Sequence, residues 1–494
     1  MSKKAVNVLL LTISQGVNVL LLFLFTPYLV RVLEKNVYGT YLQTLLIADI
    51  ISILTSIAIV QSAMMLFSNL KKNFENCLKT ILLFTFCGGL IGASVCYLFS
   101  YVAPGFFGNE LIGTYLKIFA ISVIGSRLNF VLNQAMIKVG KTQFLMLLSI
   151  CTNFIKIGLA LIAIKYYHSV MLLLFIYAIE PITSSLFQLW VLRRMKLLGG
   201  TFDSSLITEI FSIGLPLYFV EILGNSYTYI AGFIISINLN EEQYAAYRSG
   251  SIELPIIGVL YATISTIFMA DMSVNVQLNK FAVVAEMKKK IITTTAIVLY
   301  PVAVFFIFYS KEFTLLYMSA KYEDSYKVFI VFCFALLIRF QNYTDVLILL
   351  KKSKFVLYSF LVFVIFNISL NLVLSKSFGI LGCAIATIFS VYVLAFMQLH
   401  IVIRQLNVSY KDYIEIDKLL KILGVSVLII GTSKILLSYL NFPILYTFIF
   451  AGITTLPILL FYFLKNKYIE VELYKNLFDK IPIFGPKLFK IFSR

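Results

Sequence analysis

Charge is scarce in this chain. Only 13% of its 494 residues are Asp, Glu, Lys or Arg, about half of the roughly 25% that a water-soluble domain carries, which excludes a water-soluble enzyme. Histidine is almost missing, with His168 and His400 alone, and there is one tryptophan. The six cysteines (Cys77, Cys87, Cys96, Cys151, Cys333, Cys383) are scattered, mostly inside apolar runs and without a CxxC pair, so neither a disulfide framework nor a metal cage is expected. No GxxxxGK[ST] motif occurs, which argues against nucleotide hydrolysis by the chain. Long polar stretches are missing too: no loop between apolar runs exceeds about twenty residues, leaving no room for a nucleotide-binding or glycosyltransferase domain or a large external catalytic loop. Acidic residues number 23 against 41 basic ones, a net charge of +18. In a membrane protein that excess is read against loop location and does not call for a nucleic-acid partner.

What the chain has is apolar length. Sixty per cent of residues are hydrophobic and the mean hydropathy is +0.94. Apolar runs fall at 6–30, 39–66, 78–103, 112–136, 143–166, 169–192, 207–236, 244–270, 291–309, 326–350, 355–375, 379–403, 419–440 and 444–464. At roughly 20 residues per span, these predict an all-α, polytopic integral membrane protein of about 14 transmembrane helices. The basic start MSKK runs straight into the first apolar run without a small-residue cleavage pattern, and is read as part of an uncleaved first span. Eight basic residues lie at odd-numbered turns, twenty-eight at the termini and even-numbered turns, and five within spans. This asymmetry predicts cytoplasmic N- and C-termini. The tail from Lys465 to Arg494 interleaves lysines with Leu, Phe and Ile and is expected to lie along the inner leaflet.

The chain also repeats itself weakly. A shift of 206 residues lays LEKNVYGTY (33–41) over LNEEQYAAY (239–247), and a shift of 211 lays KTQF (141–144) over KSKF (352–355). The expected organisation is therefore an N-lobe (1–196, spans 1–6), a C-lobe (197–404, spans 7–12), two appended spans (405–464) and a basic tail (465–494). Six being even, the two six-helix lobes enter from the same side as parallel repeats, an arrangement in which substrate binds between the lobes.

Five segments carry a family resemblance: LVRVLEKNVYGTYLQ (29–43), NQAMIKVGKTQF (133–144), FSIGLPLYF (211–219), EEQYAAYRSGSIELP (241–255) and NLVLSKSFGILGCAIAT (371–387). Over about residues 5–405 the sequence resembles polysaccharide-exporting flippases of the multidrug, oligosaccharidyl-lipid and polysaccharide transporter superfamily, in the branch that moves lipid-linked O-antigen or capsule units. The resemblance implies a MATE-like fold of two lobes around a central cavity. It also implies a transporter rather than an enzyme, no cofactor, and a site in the bacterial inner membrane on the route to capsule or lipopolysaccharide. The implied partners are the lipid-linked oligosaccharide, membrane lipids, and the polysaccharide polymerase and chain-length machinery.

Charges inside the spans are the candidate functional residues, since each costs about 2.5–3.5 kcal/mol at a helix centre and so needs a wet cavity or a partner. The basic set is Arg127, Lys156, Arg248, Arg339 and Lys434; the acidic set is Asp49, Glu180, Glu221, Glu253 and Asp345. Arg127, Lys156, Arg248 and Arg339 suit the pyrophosphate of a lipid-linked sugar, because guanidinium forks match phosphate oxygens and an ammonium is a mobile point charge. Lys434, in an appended span, is expected to be peripheral. The five carboxylates are candidates for gating or coupling, with Glu180 followed directly by the helix-kinking Pro181; structural ion pairs are the competing reading for all ten. Span 1 offers Ser14, Gln15 and Asn18 but no acidic residue. Tyr38, Tyr41, Tyr227, Tyr229, Tyr244 and Tyr247 read more readily as an interfacial aromatic belt than as platforms for sugar rings. The leading expectation is a flippase for an undecaprenyl-pyrophosphate repeat unit working by alternating access. A multidrug or small-cation exporter is the alternative, and an integral-membrane polymerase the third.

Overall fold

A computed structural model describes residues 3–56, 59–68, 73–254, 268–269, 271–339, 343–466 and 468. Among them every regular element is a helix. The chain divides into two compact units, Met1–Ser249 with Phe360–Thr387, and Gly250–Ser359 with Ile388–Arg494.

The first unit begins with α1 (Lys3–Val32), α2 (Lys35–Leu54), α3 (Ile59–Ser68) and α4 (Phe74–Phe107). It continues through α5 (Glu110–Phe119), α6 (Ile121–Lys138), α7 (Thr142–Lys165), α8 (Val170–Arg194), α9 (Ser205–Asn238) and α10 (Glu241–Gly250). Polar residues at the breaks explain where helices start. Asn73 accepts from the Glu75 and Asn76 backbone N–H groups at the head of α4, Asn109 caps α5, and Ser169 caps α8. The Asn109 amide also donates to Thr40 Oγ1 at 2.7 Å, tying α5 to α2. Helices α5 and α6 together form one bent span, turned by 41° at Ala120. Helix α6 packs on α8 and α4, α1 on α7, and α3 on α9. The α1–α7 seam carries a hydrogen bond from Asn18 Nδ2 to Ser149 Oγ of 2.7 Å, the kind of polar contact that holds helices where lipid is as apolar as protein.

Two segments of the suspected repeat meet in this unit. A Cβ at Gly39 of α2 would lie 2.1 Å from the Glu241 carbonyl oxygen of α10, so the two helix starts abut backbone to backbone. Tyr38, Tyr41, Tyr244 and Tyr247 are all buried, which makes these four core residues and not members of an aromatic belt. Exposed rings are found elsewhere, at Tyr166, Tyr167, Tyr439 and Tyr446.

The second unit holds α11 (Phe281–Phe308), α12 (Ser310–Tyr317), α13 (Ser325–Phe334), α14 (Thr344–Leu349) and parts of α15 (Ser353–Leu406). It ends with the one-turn α16 (Tyr410–Tyr413), α17 (Ile416–Tyr439) and α18 (Ile444–Lys465). Ser409 and Asp412 close a reciprocal capping box on α16. Helix α11 packs against α17, α13 and α18 through an aromatic group in which Phe305, Phe306 and Phe313 contact Phe448.

Ten described helices are long and apolar enough to cross a membrane, or eleven with the bent α5–α6 pair. The 54 residues of α15 cover two of the expected runs, joined at Gly379, whose φ of 55° and ψ of −136° interrupt the helix at the expected turn. A Cβ at Gly382 would sit 2.0 Å from the Leu374 carbonyl oxygen, a close approach that only glycine permits. The run 326–350 is broken among α13, a 3₁₀ turn at Ala335–Leu337 and α14. Most of the expected eighth span, including Pro255, and nearly all of the basic tail lie outside the described residues, and fourteen spans are not counted. Large apolar side chains point outward along these helices, with Leu98 65% and Leu428 68% exposed, as expected of surfaces solvated by acyl chains. The chain is a multi-pass membrane protein.

Candidate functional site

A cavity of about 330 Å³ opens inside the first unit between α2, the α5–α6 bend and α8. Its wall is unusually polar for a membrane interior: Asp49 and Ser52 from α2, Asn129 and Asn133 from α6, Tyr177 and Glu180 from α8. Phe119 and Phe130 supply apolar rings beside them. The helices put these groups together for simple reasons. Asp49 and Ser52 are three residues apart on one face of α2, as are Ser126 and Asn129 on α6 and Tyr177 and Glu180 on α8. Close approach of α6 to α8 is set by Gly125, where a Cβ would fall 2.7 Å from the Ile182 backbone nitrogen. Pro181 removes one helical donor from α8. Ser185 Oγ donates to the Pro181 carbonyl at 2.7 Å and Thr183 Oγ1 to the Glu180 carbonyl at 2.8 Å, so these hydroxyls are turned back onto their own helix.

The candidate charges gather here more than their sequence positions suggest. Arg127 is buried on α6 and its Nη2 donates to Ser52 Oγ at 3.1 Å, placing a guanidinium directly behind the cavity wall. Lys156 on α7 pairs with Glu180 at 3.5 Å, both side chains being largely buried, and its ammonium lies 5.1 Å from the Tyr177 ring centroid. Arg248 on α10 is exposed and lies close enough to act electrostatically on Asp49, Tyr38 and Tyr244. Thus Asp49 and Glu180 line the cavity, Arg127 reaches it through Ser52 and Lys156 through Glu180.

The remaining candidates sit in the second unit. Arg339 pairs with Glu253 at 3.0 Å in an exposed setting. Asp345, on α14, is 2% exposed and pairs with Lys288 Nζ at 2.5 Å, while its other oxygen accepts from the Val346 backbone N–H at 2.7 Å. Lys434 pairs with Glu312 and stands 4.6 Å from the Tyr309 ring centroid. Glu221 is on α9, and its side chain lies outside the described residues.

Several partners escaped the sequence reading. Ser52, Asn129 and Asn133 are ordinary polar residues in apolar helices, and only the spacing of Ser52 from Asp49 and of Asn133 from Asn129, three and four residues along one helix face, marks them. Asn129 Oδ1 accepts from Gln188 Nε2 at 2.6 Å, extending the polar set along α8. By sequence, Lys288 falls in the basic cluster Lys288-Lys289-Lys290 at the turn before the apolar run 291–309, yet it is 1% exposed. The cavity offers carboxylates and amides that accept and donate hydrogen bonds, rings that stack, and one guanidinium group, that of Arg127, held behind Ser52. Among the described residues no group of three or more His, Cys, Asp or Glu is arranged to hold a metal ion.

Comparison with known proteins places this geometry in a family. A family described as polysaccharide biosynthesis protein matches residues 28–327. No curated protein matches the sequence. Among solved structures, the lipid II flippase MurJ in an inward closed conformation aligns with a TM-score of 0.69 at 14% identity, covering 94% of this chain and 99% of that one. An inward-facing multidrug resistance MATE family transporter of the MOP superfamily aligns with a TM-score of 0.64 at 13% identity, covering 80% and 94%. A MOP superfamily transporter from Pyrococcus furiosus gives 0.58 at 13%, covering 81% and 95%. At such identities the likeness is one of fold, whereas the family match spans more than half of the chain: this protein belongs to the polysaccharide biosynthesis protein family and has the fold of MurJ and the MATE transporters.

Proposed function

We propose that the protein is a flippase that carries a lipid-linked oligosaccharide, an undecaprenyl-pyrophosphate repeat unit for O-antigen or capsule, from the cytoplasmic to the outer leaflet of the bacterial inner membrane by alternating access. The observation that carries this reading is the polar cavity of the first unit, built in a chain of a polysaccharide biosynthesis family. Sugar hydroxyls donate to Asp49 and Glu180, exchange hydrogen bonds with Asn129 and Asn133, and stack on Phe119, Phe130 or Tyr177. Arg127 and Arg248 are the cations of this unit that suit a pyrophosphate, and Arg339 is a further candidate for that role. Lys156, already paired with Glu180, exchanges that partner for phosphate when substrate enters, which gives the Lys156–Glu180 pair a gating role. Translocation makes and breaks no covalent bond, so no catalytic residue is assigned. Both termini are cytoplasmic in this reading, and the polymerase and chain-length machinery act on the delivered unit.

The test is deletion of the gene followed by analysis of surface polysaccharide and of the lipid-linked units on each membrane face. Accumulation of complete units on the cytoplasmic leaflet with loss of surface polymer is the expected result. Units reaching the outer face at wild-type rate would sink the proposal. Complementation with Arg127→Ala, Arg248→Ala and Arg339→Ala, and with the corresponding Lys variants, tests the phosphate role. Export at wild-type rate in every variant, at equal protein level, removes it.

One observation favours a second reading, a cation exporter. The cavity wall itself presents two carboxylates, whereas Arg127 is one side chain behind it. Normal surface glycan with drug hypersensitivity in the deletion strain would select this alternative.

A further inference from the structure

A second cavity in the first unit has no part in the proposed transport site. It measures about 530 Å³, within the roughly 300–1,000 Å³ range of ligand pockets, and runs between α4, α6 and α8 with Leu198 at one end. Its walls are apolar, among them Leu83, Phe86, Ile121 and Leu186, each more than 40% exposed. The cavity is therefore a groove open along its side. Only two polar side chains reach it, Lys79 and Ser185. The Ser185 hydroxyl is already engaged with the Pro181 and Gly125 carbonyls, at 2.7 and 3.1 Å. What remains for a ligand is the ammonium of Lys79, which is exposed and pairs with no carboxylate among the described residues.

The groove lies within the depth of one leaflet and covers part of a lipid chain. From Lys79 to Phe86 on α4, and from Leu189 back to Ile182 on α8, the lining runs for seven residues, about 10 Å of helix. That distance falls within one half of a bilayer core about 30 Å thick. The Lys79 end lies at the interface: Trp190, next to the lining residue Leu189, is half exposed and stacks under Arg194 at 4.4 Å. Arg193, Arg194 and Lys196 add positive charge at this end of α8, against Glu75 one turn before Lys79. The groove's end is fixed, since the Thr201 and Asp203 backbone N–H groups donate to Asn76 Oδ1 and Thr80 Oγ1 of α4 at 2.9 and 3.0 Å.

We infer that this groove is a binding site for an anionic phospholipid, one acyl chain lying between α4, α6 and α8 and the phosphate resting on Lys79. The Lys79 ammonium over an apolar slot, with Arg193, Arg194 and Lys196 at the same end, selects negative headgroup charge. An ammonium donates but cannot accept, and the apolar walls add no acceptor for a glycan's hydroxyl hydrogens; the carrier lipid's own phosphate is told apart by the competition below.

Native mass spectrometry of the full-length protein in detergent, offered phosphatidylglycerol and phosphatidylcholine of the same chain length, tests the site. Wild type is expected to retain one phosphatidylglycerol in preference to phosphatidylcholine. Lys79→Gln should weaken that retention about five-fold, the effect of one lysine at an anionic membrane surface. Leu186→Trp, which fills the groove from its exposed side, should lower retention of both lipids. Equal phosphatidylglycerol retention by wild type and Lys79→Gln, or no preference for the anionic headgroup, would overturn the inference. So would displacement of phosphatidylglycerol by undecaprenyl phosphate in wild type but not in Leu186→Trp, because the groove would then belong to the carrier lipid.

Discussion

At the scale of single residues, the ionisable groups of this protein are held in pairs whose burial differs widely. Lys288–Asp345 is almost inaccessible, Lys156–Glu180 intermediate, and Arg339–Glu253 exposed. A fully buried pair costs much to break because the survivor is left as an uncompensated charge, typically about 3–5 kcal/mol. Lys288→Met is therefore expected to destabilise the protein by that order, with Lys288→Met/Asp345→Leu recovering most of the loss. Thermal unfolding of the purified variants in detergent checks both, and an additive double variant would show that the two residues do not depend on each other. The Arg339–Glu253 pair is solvated, and Glu253→Gln is expected to change stability by less than about 1 kcal/mol. Within the polar cavity, Asp49→Asn and Glu180→Gln keep shape and remove charge. On the flippase reading each lowers export of the repeat unit; Asp49→Asn leaves the melting temperature near wild type, whereas Glu180→Gln also lowers it because Lys156 loses its partner. Unchanged export in both would remove these carboxylates from the transport site.

Glycines decide the elements. Gly39 allows α2 and α10 to touch backbone to backbone, and a Cβ there meets a carbonyl oxygen, not a movable side chain. Gly39→Ala is expected to force the two helix starts apart and to lower the melting temperature more than Gly16→Ala, where a Cβ meets nothing within 4 Å. Equal effects would show that the α2–α10 contact contributes little. Gly379 poses a different constraint, because its φ of 55° with ψ of −136° is open almost only to glycine, while the space around it is free. Gly379→Ala should cost about 1–3 kcal/mol through backbone strain alone. The turn at 376–379 is legible in the sequence, since Lys376-Ser-Phe-Gly separates the apolar runs 355–375 and 379–403. Nothing in the sequence revealed that Gly39 would face Glu241, since partners 202 positions apart are set by packing.

For the whole molecule, the segment pattern and the loop charges make a directional statement. Lys141 and Lys376, both exposed, fall at turns of opposite parity. With the six native cysteines replaced, a membrane-impermeant maleimide applied to intact cells should label Lys376→Cys and spare Lys141→Cys until the membrane is opened. Labelling of Lys141→Cys from outside would reverse the proposed orientation.

The sequence by itself determined that the chain is all-helical and multi-pass, which segments are apolar enough to span, and which ionisable residues lie within them. Those properties follow from hydropathy summed over local windows, and no neighbour alters the sum. Only the tertiary structure decided which charges meet: Arg127 with Ser52, Lys156 with Glu180, and Lys288, expected in a turn, with Asp345. It also decided that Tyr38, Tyr41, Tyr244 and Tyr247 form core and that a lone Lys79 heads an apolar groove. The physical reason is that lipid and protein interior are about equally apolar. A transmembrane helix therefore carries little sequence record of which face meets lipid and which meets another helix, and that choice is made when the helices pack.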